Sequence, residues 1–450
     1  MIPPKPITRA EKTSLWRYLR LFRADILSAQ PAKLYRAWMA EFRTLFFRSY
    51  LCNDPELIDL ILRRRPADFP KSTRVGEGLA PLLGRSIFVT NGAEWERQRR
   101  IIDPAFESGR LRDVFPAILA AARSGAERLA ARAGEVVEVE EATSHMAADV
   151  IFRTLFSLPI EDRVAAEVFH EFRAHQRGQP LLNLAAFLPL PTWAPRLHRS
   201  STKRTARKIR ALIRQLTEAR AEAIRTGSAP LDLATKIMTT ADPVTGTALD
   251  TEEMIDQIAI FFLAGHETSA SALAWALYLL ALFPDAQDRV ASEAKSLAEN
   301  PTFSDIYGLS FTKDAFRETL RLYPPVPMMV RESRCPVTFR GRDLAPGAQV
   351  ILSSWHLQRH ERLWDRPDEF DPDRWRTVEG RASARVAYLP FSAGPRVCPG
   401  AGFAMVEGPL LLAVLLRDWR FAIADVAPPI PVAHLTVRSR DGIRLRLLPR

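Results

Sequence analysis

Residues 391–400 read FSAGPRVCPG, and the spacing inside those ten positions carries most of the information in the chain. Phe391, Gly394, Arg396, Cys398 and Gly400 put one cysteine on a glycine-punctuated loop, with an arginine two residues ahead and the apolar run AGFAMVEGPLLLAVLL directly behind. A thiolate, not a thiol, binds metal, and backbone N–H groups with the positive end of a helix dipole stabilise it. Cys398 stands where the next helix is predicted to begin. Gly394 and Gly400 lack a Cβ, so the backbone can turn tightly and approach a flat macrocycle. Phe391 can shield the sulfur from water, and Arg396 is free to pair with a propionate. An isolated cysteine is most often a packing residue. Five specified positions, however, should coincide by chance in well under roughly one chain in a thousand. The window suits a cysteine that donates the axial thiolate of a haem iron.

The same residues resemble the haem-binding signature of the cytochrome P-450 family, F-x-x-G-x-R-x-C-x-G, with every fixed position present. Three weaker landmarks follow in the family's order over nearly the whole chain. The first is EEMIDQIAIFFLAGHETSASALAWALYLLALFP, residues 252–284, whose apolar pattern predicts a mostly buried helix of about thirty residues ending at Pro284. Glu267 in its middle and the lack of a basic cluster argue against a membrane span. AGHET resembles the family's oxygen-activating motif. The resemblance implies that Thr268 acts beside bound dioxygen, that Glu267 relays protons from solvent, and that Ala264 belongs to the cofactor contact. A threonine bonding back to a helical carbonyl also helps open a local kink. His266 could serve as a second axial ligand, but its position varies in this motif and a plain polar helix residue is the preferred reading.

The second landmark is Glu318 with Arg321 in DAFRETLRLYPPVPMMVRES, followed by PDEFDPDRW with Phe370, Pro372 and Arg374. On its own an i, i+3 acid-base pair is a solvated helix face. Here the resemblance implies a buried structural triad of Glu318, Arg321 and Arg374 that locks the core under the haem. The third is Trp95 and Arg99, four apart and so on one helix face, for which surface aromatic-cation pairing is the plainer alternative. In the family this W-x-x-x-R helix contacts a haem propionate, and Arg331 matches a further propionate position. With Arg396, three arginines then neutralise two propionates, a task suited to the guanidinium fork.

Length and composition bound the reading. The 450 residues contain no internal repeat, linker or low-complexity segment, so one large domain over 1–450 is predicted despite the usual prior of about 150 residues per domain. The fold expected is mainly α with a small β region: a β-rich portion at about 45–93, a helical body at about 94–324, and a meander and cysteine loop at 360–400. SYLCNDP and SIFVTNG read as extended, as do PVTFRGRDL and QVILSSWHL. Prolines cluster at helix stops such as LYPPVP. Three cysteines without C-x-x-C spacing exclude a disulfide framework, an iron-sulfur domain and structural zinc, and point to a reducing, cytoplasmic setting. The N-terminal stretch lacks the continuous apolar run of a signal peptide or anchor, which fits a soluble bacterial type, although LWRYLRLFRADIL is amphipathic. A net charge of +11 without a nucleic-acid motif argues against DNA or RNA.

The resemblance implies haem b, dioxygen, and a separate ferredoxin or flavodoxin served by an NAD(P)H-dependent reductase. Steering of that acidic partner by Arg97, Arg100, Arg110 and Arg112 is expected. No G-x-G-x-x-G follows a strand, so a fused reductase is not expected. The resemblance implies pocket walls from the loop STRVGEGLAPLLGRSIFV, the region QPLLNLAAFLPLPTW, Phe261, Phe262 and Ala264, Val326 to Val330, and the loop VAHLTV. Being apolar, they imply a hydrophobic substrate such as a lipid or terpenoid, held by burial at about 25 cal/mol per Å². The activity implied is insertion of one oxygen atom into that substrate. A peroxide-driven oxygenase is the alternative enzyme, against which Glu267 and Thr268 argue. A haem-thiolate sensor is the non-catalytic alternative, which needs no proton relay.

Overall fold

A computed structural model describes residues 1–43, 48–178, 198–425 and 427–450. Helix α1 (Leu15–Ala24) precedes strands β1 (Met39–Arg43) and β2 (Arg48–Cys52). Asp54 then caps α2 (Pro55–Asp59), accepting from the Glu56 and Leu57 N–H groups, and a π-turn carries the chain to Arg64. From α3 (Thr73–Leu83) and α4 (Gly92–Ile102) the described residues are mostly helical, through α5 (Ser108–Ala130), the short β3 (Val136–Glu138), α6 (Val139–Phe156), α7 (Arg163–Gly178), α8 (Ser200–Arg225) and α9 (Leu233–Thr239).

The predicted long buried helix is α10 (Thr251–Leu282), started by a reciprocal capping box between Asp250 and Glu253. It is apolar over most of its surface because most of that surface is covered, with α6, α8 and a later helix, residues 401–418, packed around it. Pro284 opens α11 (Pro284–Ser296) at its N-terminus, where a missing N–H costs nothing. No single helix among the described residues is long and apolar enough to cross a membrane.

After α12 (Ser310–Leu322) come β4 (Met329–Glu332), the hairpin β5 (Val337–Phe339) and β6 (Arg342–Leu344), β7 (Gln349–Leu352) and the short α13 (Ser354–Leu357). Helix α14 (Val378–Ala387) and the cysteine loop lead into α15 (Ala401–Asp418), then β8 (Trp419–Ile423), β9 (Pro431–Ala433), β10 (Val437–Ser439) and β11 (Arg444–Pro449). One sheet, ordered β1-β2-β7-β4, joins strands from both halves of the chain; β2 pairs parallel with β7, and the other pairings are antiparallel. A second, β3-β11-β8, ties the C-terminus to the start of α6. This mainly helical fold with a small sheet region built from both ends agrees with the sequence expectation.

Two local expectations fail. Residues 45–93 are not β-rich: β2 is the strand there, while the predicted loop STRVGEGLAPLL is α3 and SIFVT is a tight turn in which Val89 and Thr90 donate to the Ser86 carbonyl. Two glycines and a proline in α3 signal a loop. Burial of Leu82 and Leu83 against α8 and α10 outweighs helix penalties of about 1 kcal/mol for each glycine and about 3 kcal/mol for Pro81.

Candidate active site

The cysteine loop is shaped by contacts within the protein before any ligand is considered. Gly394 has φ +69°, and a Cβ there would sit 1.8 Å from the Leu62 carbonyl, so the turn and the π-turn behind it both demand glycine. A Cβ at Gly400 meets only the Cys398 Sγ, at 3.9 Å, so space is open at that position. The Cys398 N–H donates to the Phe391 carbonyl at 2.9 Å, and Phe391 is half-buried against the main core. Cys398 is exposed, yet burial raises its thiol pKa, opposed by the Gly400 N–H, Arg99 and Lys71. A side chain that is accessible and desolvated at once lines an interior cleft, and its three lowering influences all favour the thiolate.

Helix α10 supplies the second wall. Between buried Leu263 and Ala270, Ala264 is exposed and Gly265 and Thr268 are partly open. On the other side a Cβ at Gly265 would lie 2.4 Å from Ile151 Cδ1 on α6, so glycine lets the two helices pack there without displacing that isoleucine. The Thr268 hydroxyl donates to the Ala264 carbonyl at 2.5 Å, the back-bond expected, but α10 runs unbroken through it with no interruption of its helical assignment. Phe261 meets Phe106 edge-on at 5.7 Å. Phe262 does not line the cleft: it is buried between Phe152 and Phe172. The region QPLLNLAAFLPLPTW lies outside the described residues.

Glu267 points away from Thr268 into a polar cleft of about 190 Å³ lined by Glu140, Ser144, Gln176, His266 and Arg438 among others. It accepts from Thr436 at 2.6 Å, Arg438 at 2.5 Å and Gln176 at 3.1 Å. His266 is buried, bonded through Nε2 to the Ser144 hydroxyl at 2.7 Å, and desolvation lowers its pKa to about 3, so it is a neutral packing residue.

Four cations converge beside the cysteine. The Arg396 guanidinium lies 4.1 Å over the Trp95 ring and donates to the Thr90 carbonyl and Asn91 Oδ1. Arg99, from one turn along α4, reaches the Val397 carbonyl at 2.7 Å and Asp103 at 2.9 Å. Arg331 on β4 is buried and, among the described residues, its side chain donates to the Val330 carbonyl alone; desolvation lowers its pKa to about 10. Burial, then repulsion from Arg331 and Arg99, does the same to Arg396. The fourth, Lys71, escaped the sequence analysis: burial and then Arg331 and Arg396 hold its pKa well below the ordinary lysine range. It arrives by a bridge pairing Lys71 with Arg331, which no local pattern announces. Lys71, Arg331 and Arg396 form no ion pair with a carboxylate among the described residues. A desolvated cation cluster beside a thiol on a cleft wall fits a haem, whose propionates supply the missing anions.

Glu318, Arg321 and Arg374 are brought together below this cleft. Arg321 is bidentate on Glu318 at 2.9 and 2.8 Å, Arg374 Nε reaches the same carboxylate at 3.2 Å, and all three are buried. The remaining Arg321 donors satisfy the carbonyls of Gln358, Pro367 and Glu369, so the triad ties α12 to the meander.

Another buried acid had no signal in the sequence. Glu407, about two turns into α15, accepts from the Ser269 hydroxyl at 2.6 Å, and burial pushes its carboxyl up to about 8. Below the ordinary glutamate value of about 4.5 the carboxyl is protonated in folded and unfolded chains alike; between there and about 8 the folded chain alone keeps the proton, so stability falls as pH rises through that window. Glu407→Gln is expected to flatten this decline in urea melts between pH 5 and 8. An identical decline in the variant would assign it elsewhere.

The cytochrome P-450 family model matches residues 32–444. Cyclooctat-9-en-7-ol 5-monooxygenase of Streptomyces melanosporofaciens is 31% identical over 412 residues, covering 90% of this chain and 86% of the relative. Human cytochrome P-450 4A11 is also 31% identical, covering 88% and 78%. The crystal structure of the cytochrome P-450DA heme domain superposes with a TM-score of 0.83 at 22% identity, covering 100% of this chain and 98% of that one. With the thiol, the open stretch of α10 and the cation cluster in place, the chain belongs to the cytochrome P-450 family and is a haem-dependent monooxygenase.

Proposed function

We propose that the enzyme inserts one atom of dioxygen into an apolar, hydrocarbon-rich substrate such as a lipid or terpenoid, with electrons from a separate ferredoxin or flavodoxin and its NAD(P)H-dependent reductase. The observation that carries this is the pairing of an accessible, desolvated Cys398 with a helix whose buried middle opens around Ala264 and Thr268. When bound, thiolate-ligated haem iron supplies two-electron reduction of dioxygen and oxygen transfer to carbon, the second atom leaving as water. Cys398 holds the iron, while Lys71, Arg99, Arg331 and Arg396 hold the propionates. Thr268 presents a hydroxyl to the cleft whose proton can be handed on and replaced. Glu267 moves protons inward from the polar cleft, where Arg438 and Thr436 keep it oriented.

Half-buried Val326, Met328 and Val330, exposed Leu435 and Phe261 are apolar, so the substrate is held by area and not by charge. The Streptomyces relative named for cyclooctat-9-en-7-ol accords with such a molecule. Two of the arginines proposed from sequence for the redox partner are engaged inside the protein: Arg97 holds Glu253 at 2.6 Å and Arg100 grips Asp242 at 2.6 and 3.0 Å. Arg110 and Arg112 remain the candidates, Arg110 in an exposed pair with Asp113.

The test is oxygenated product per electron pair, with dioxygen, a ferredoxin and its reductase, on substrates first chosen by the shift they cause in the Soret band. Thr268→Val is expected to lower product yield at least about tenfold, and Glu267→Gln to slow turnover about 10²-fold with an enlarged solvent isotope effect. Product with hydrogen peroxide but none with dioxygen and reductase would overturn the reading in favour of a peroxide-driven enzyme.

A further inference from the structure

The first 36 residues hold eight lysines and arginines against two acids, a net of +6 out of +11 for all 450 residues. Much of that charge is presented by α1. Trp16, Arg20 and Arg23 fall at i, i+4 and i+7, one stripe of the helix, with Arg17 beside them, and all four are exposed. Trp16 is 84% exposed and Ile7, just upstream, 83%. The opposite face holds α1 to the body: Tyr18 stacks on Phe42 of β1 with ring centroids 6.3 Å apart, and Arg9 lies over the other side of the tyrosine. Asp25, one of the two acids, is turned inward, accepting from the Leu27, Ser28 and Ala433 N–H groups. Arg17, Arg20 and Arg23 make no ion pair among the described residues.

We propose that the outer face of α1, Trp16 among Arg17, Arg20 and Arg23, binds an anionic phospholipid surface. The charge pattern requires an anionic partner, since three neighbouring guanidiniums repel one another and no acid on the helix answers them. The shape and the tryptophan select lipid over an acidic protein. The stripe is a single convex helix with no groove, and an indole suits the headgroup boundary, its ring entering the acyl region while its N–H stays wet. The arginine stems can lie along the same boundary with their heads at the phosphates. The surface is also placed to matter. The chain leaving α1 is bonded to β9 by the Ile26 N–H to the Ala433 carbonyl at 3.0 Å, and the turn after β9 carries exposed Leu435. A lipid surface at α1 therefore brings that turn, a proposed pocket wall, toward the phase in which an apolar substrate dissolves.

The experiment is sedimentation of the full-length holoprotein with vesicles of phosphatidylcholine alone or with about 30% phosphatidylglycerol. Binding is expected to the mixed vesicles and not to phosphatidylcholine, and to weaken as salt rises. Joint replacement of Arg17, Arg20 and Arg23 by Glu should lower the partition coefficient at least about tenfold, and Trp16→Ala severalfold, with melting temperature unchanged. Reversing Lys203, Arg204 and Arg207, exposed on α8, serves as the control for net charge. Failure to bind mixed vesicles, equal binding to both kinds, or a larger loss from the α8 reversal than from the α1 reversal would each overturn the assignment. If vesicles fail and an acidic ferredoxin binds instead with the same arginine dependence, the face belongs to a protein partner.

Discussion

Glu318→Ala is expected to destabilise the protein by about 3–5 kcal/mol, because it leaves two buried guanidiniums facing one another without their shared carboxylate. That is a large part of the roughly 5–15 kcal/mol that holds a domain together. The loss should not stay local. Arg321 also satisfies three carbonyls from residues 358–369, and Arg374 bonds the Arg366 carbonyl, so the meander loses its attachment to α12 along with the charge balance. Urea denaturation followed by circular dichroism reads the stability, and haem retention on gel filtration reads the meander. Glu318→Gln should fall between wild type and alanine, since it keeps acceptor capacity but loses the charge. A soluble Glu318→Ala protein with wild-type urea midpoint and full haem content would remove the triad from any structural role.

The second large effect is spectroscopic and leaves the fold alone. Cys398→Ser is expected to abolish the red-shifted Soret band that a thiolate-bound iron shows when reduced under carbon monoxide, because a serine hydroxyl does not ionise in this setting and donates far less charge. Stability of the haem-free protein should change by no more than about 0.5 kcal/mol, since Cys398 is exposed and serine replaces its thiol with a polar group of similar size. The two measurements separate ligation from folding. A carbonyl spectrum untouched by the substitution would show that Cys398 is not the ligand, whatever the surrounding resemblance.

The candidate site was more legible in the sequence than the sheets around it. Cys398, Arg396, Gly394 and Phe391 lie in one short window marked by its spacing, and Ala264, Glu267 and Thr268 in another marked by its resemblance to a family motif. The helix 251–282 was equally plain, with a proline just past its end and apolar residues throughout. Residues 45–93 misled because Gly76, Gly78 and Pro81 weigh toward a loop while the burial that makes α3 a helix comes from α8 and α10, far along the chain.

Which residues were candidates was settled in the sequence, by spacing at the cysteine window and by the family resemblance elsewhere: a thiol between glycines, an acid beside an alcohol on a buried helix, arginines placed three or four residues from a partner. Where those side chains point was decided only by the tertiary structure. Lys71 joins the cation cluster through a bridge to β4, Glu267 turns to Arg438 and Thr436 from the last hairpin, and Phe262 goes to the core instead of the cleft. The physical reason is that helix periodicity fixes relative angles along one element, whereas desolvation, ion pairing and close packing depend on neighbours that distant segments supply.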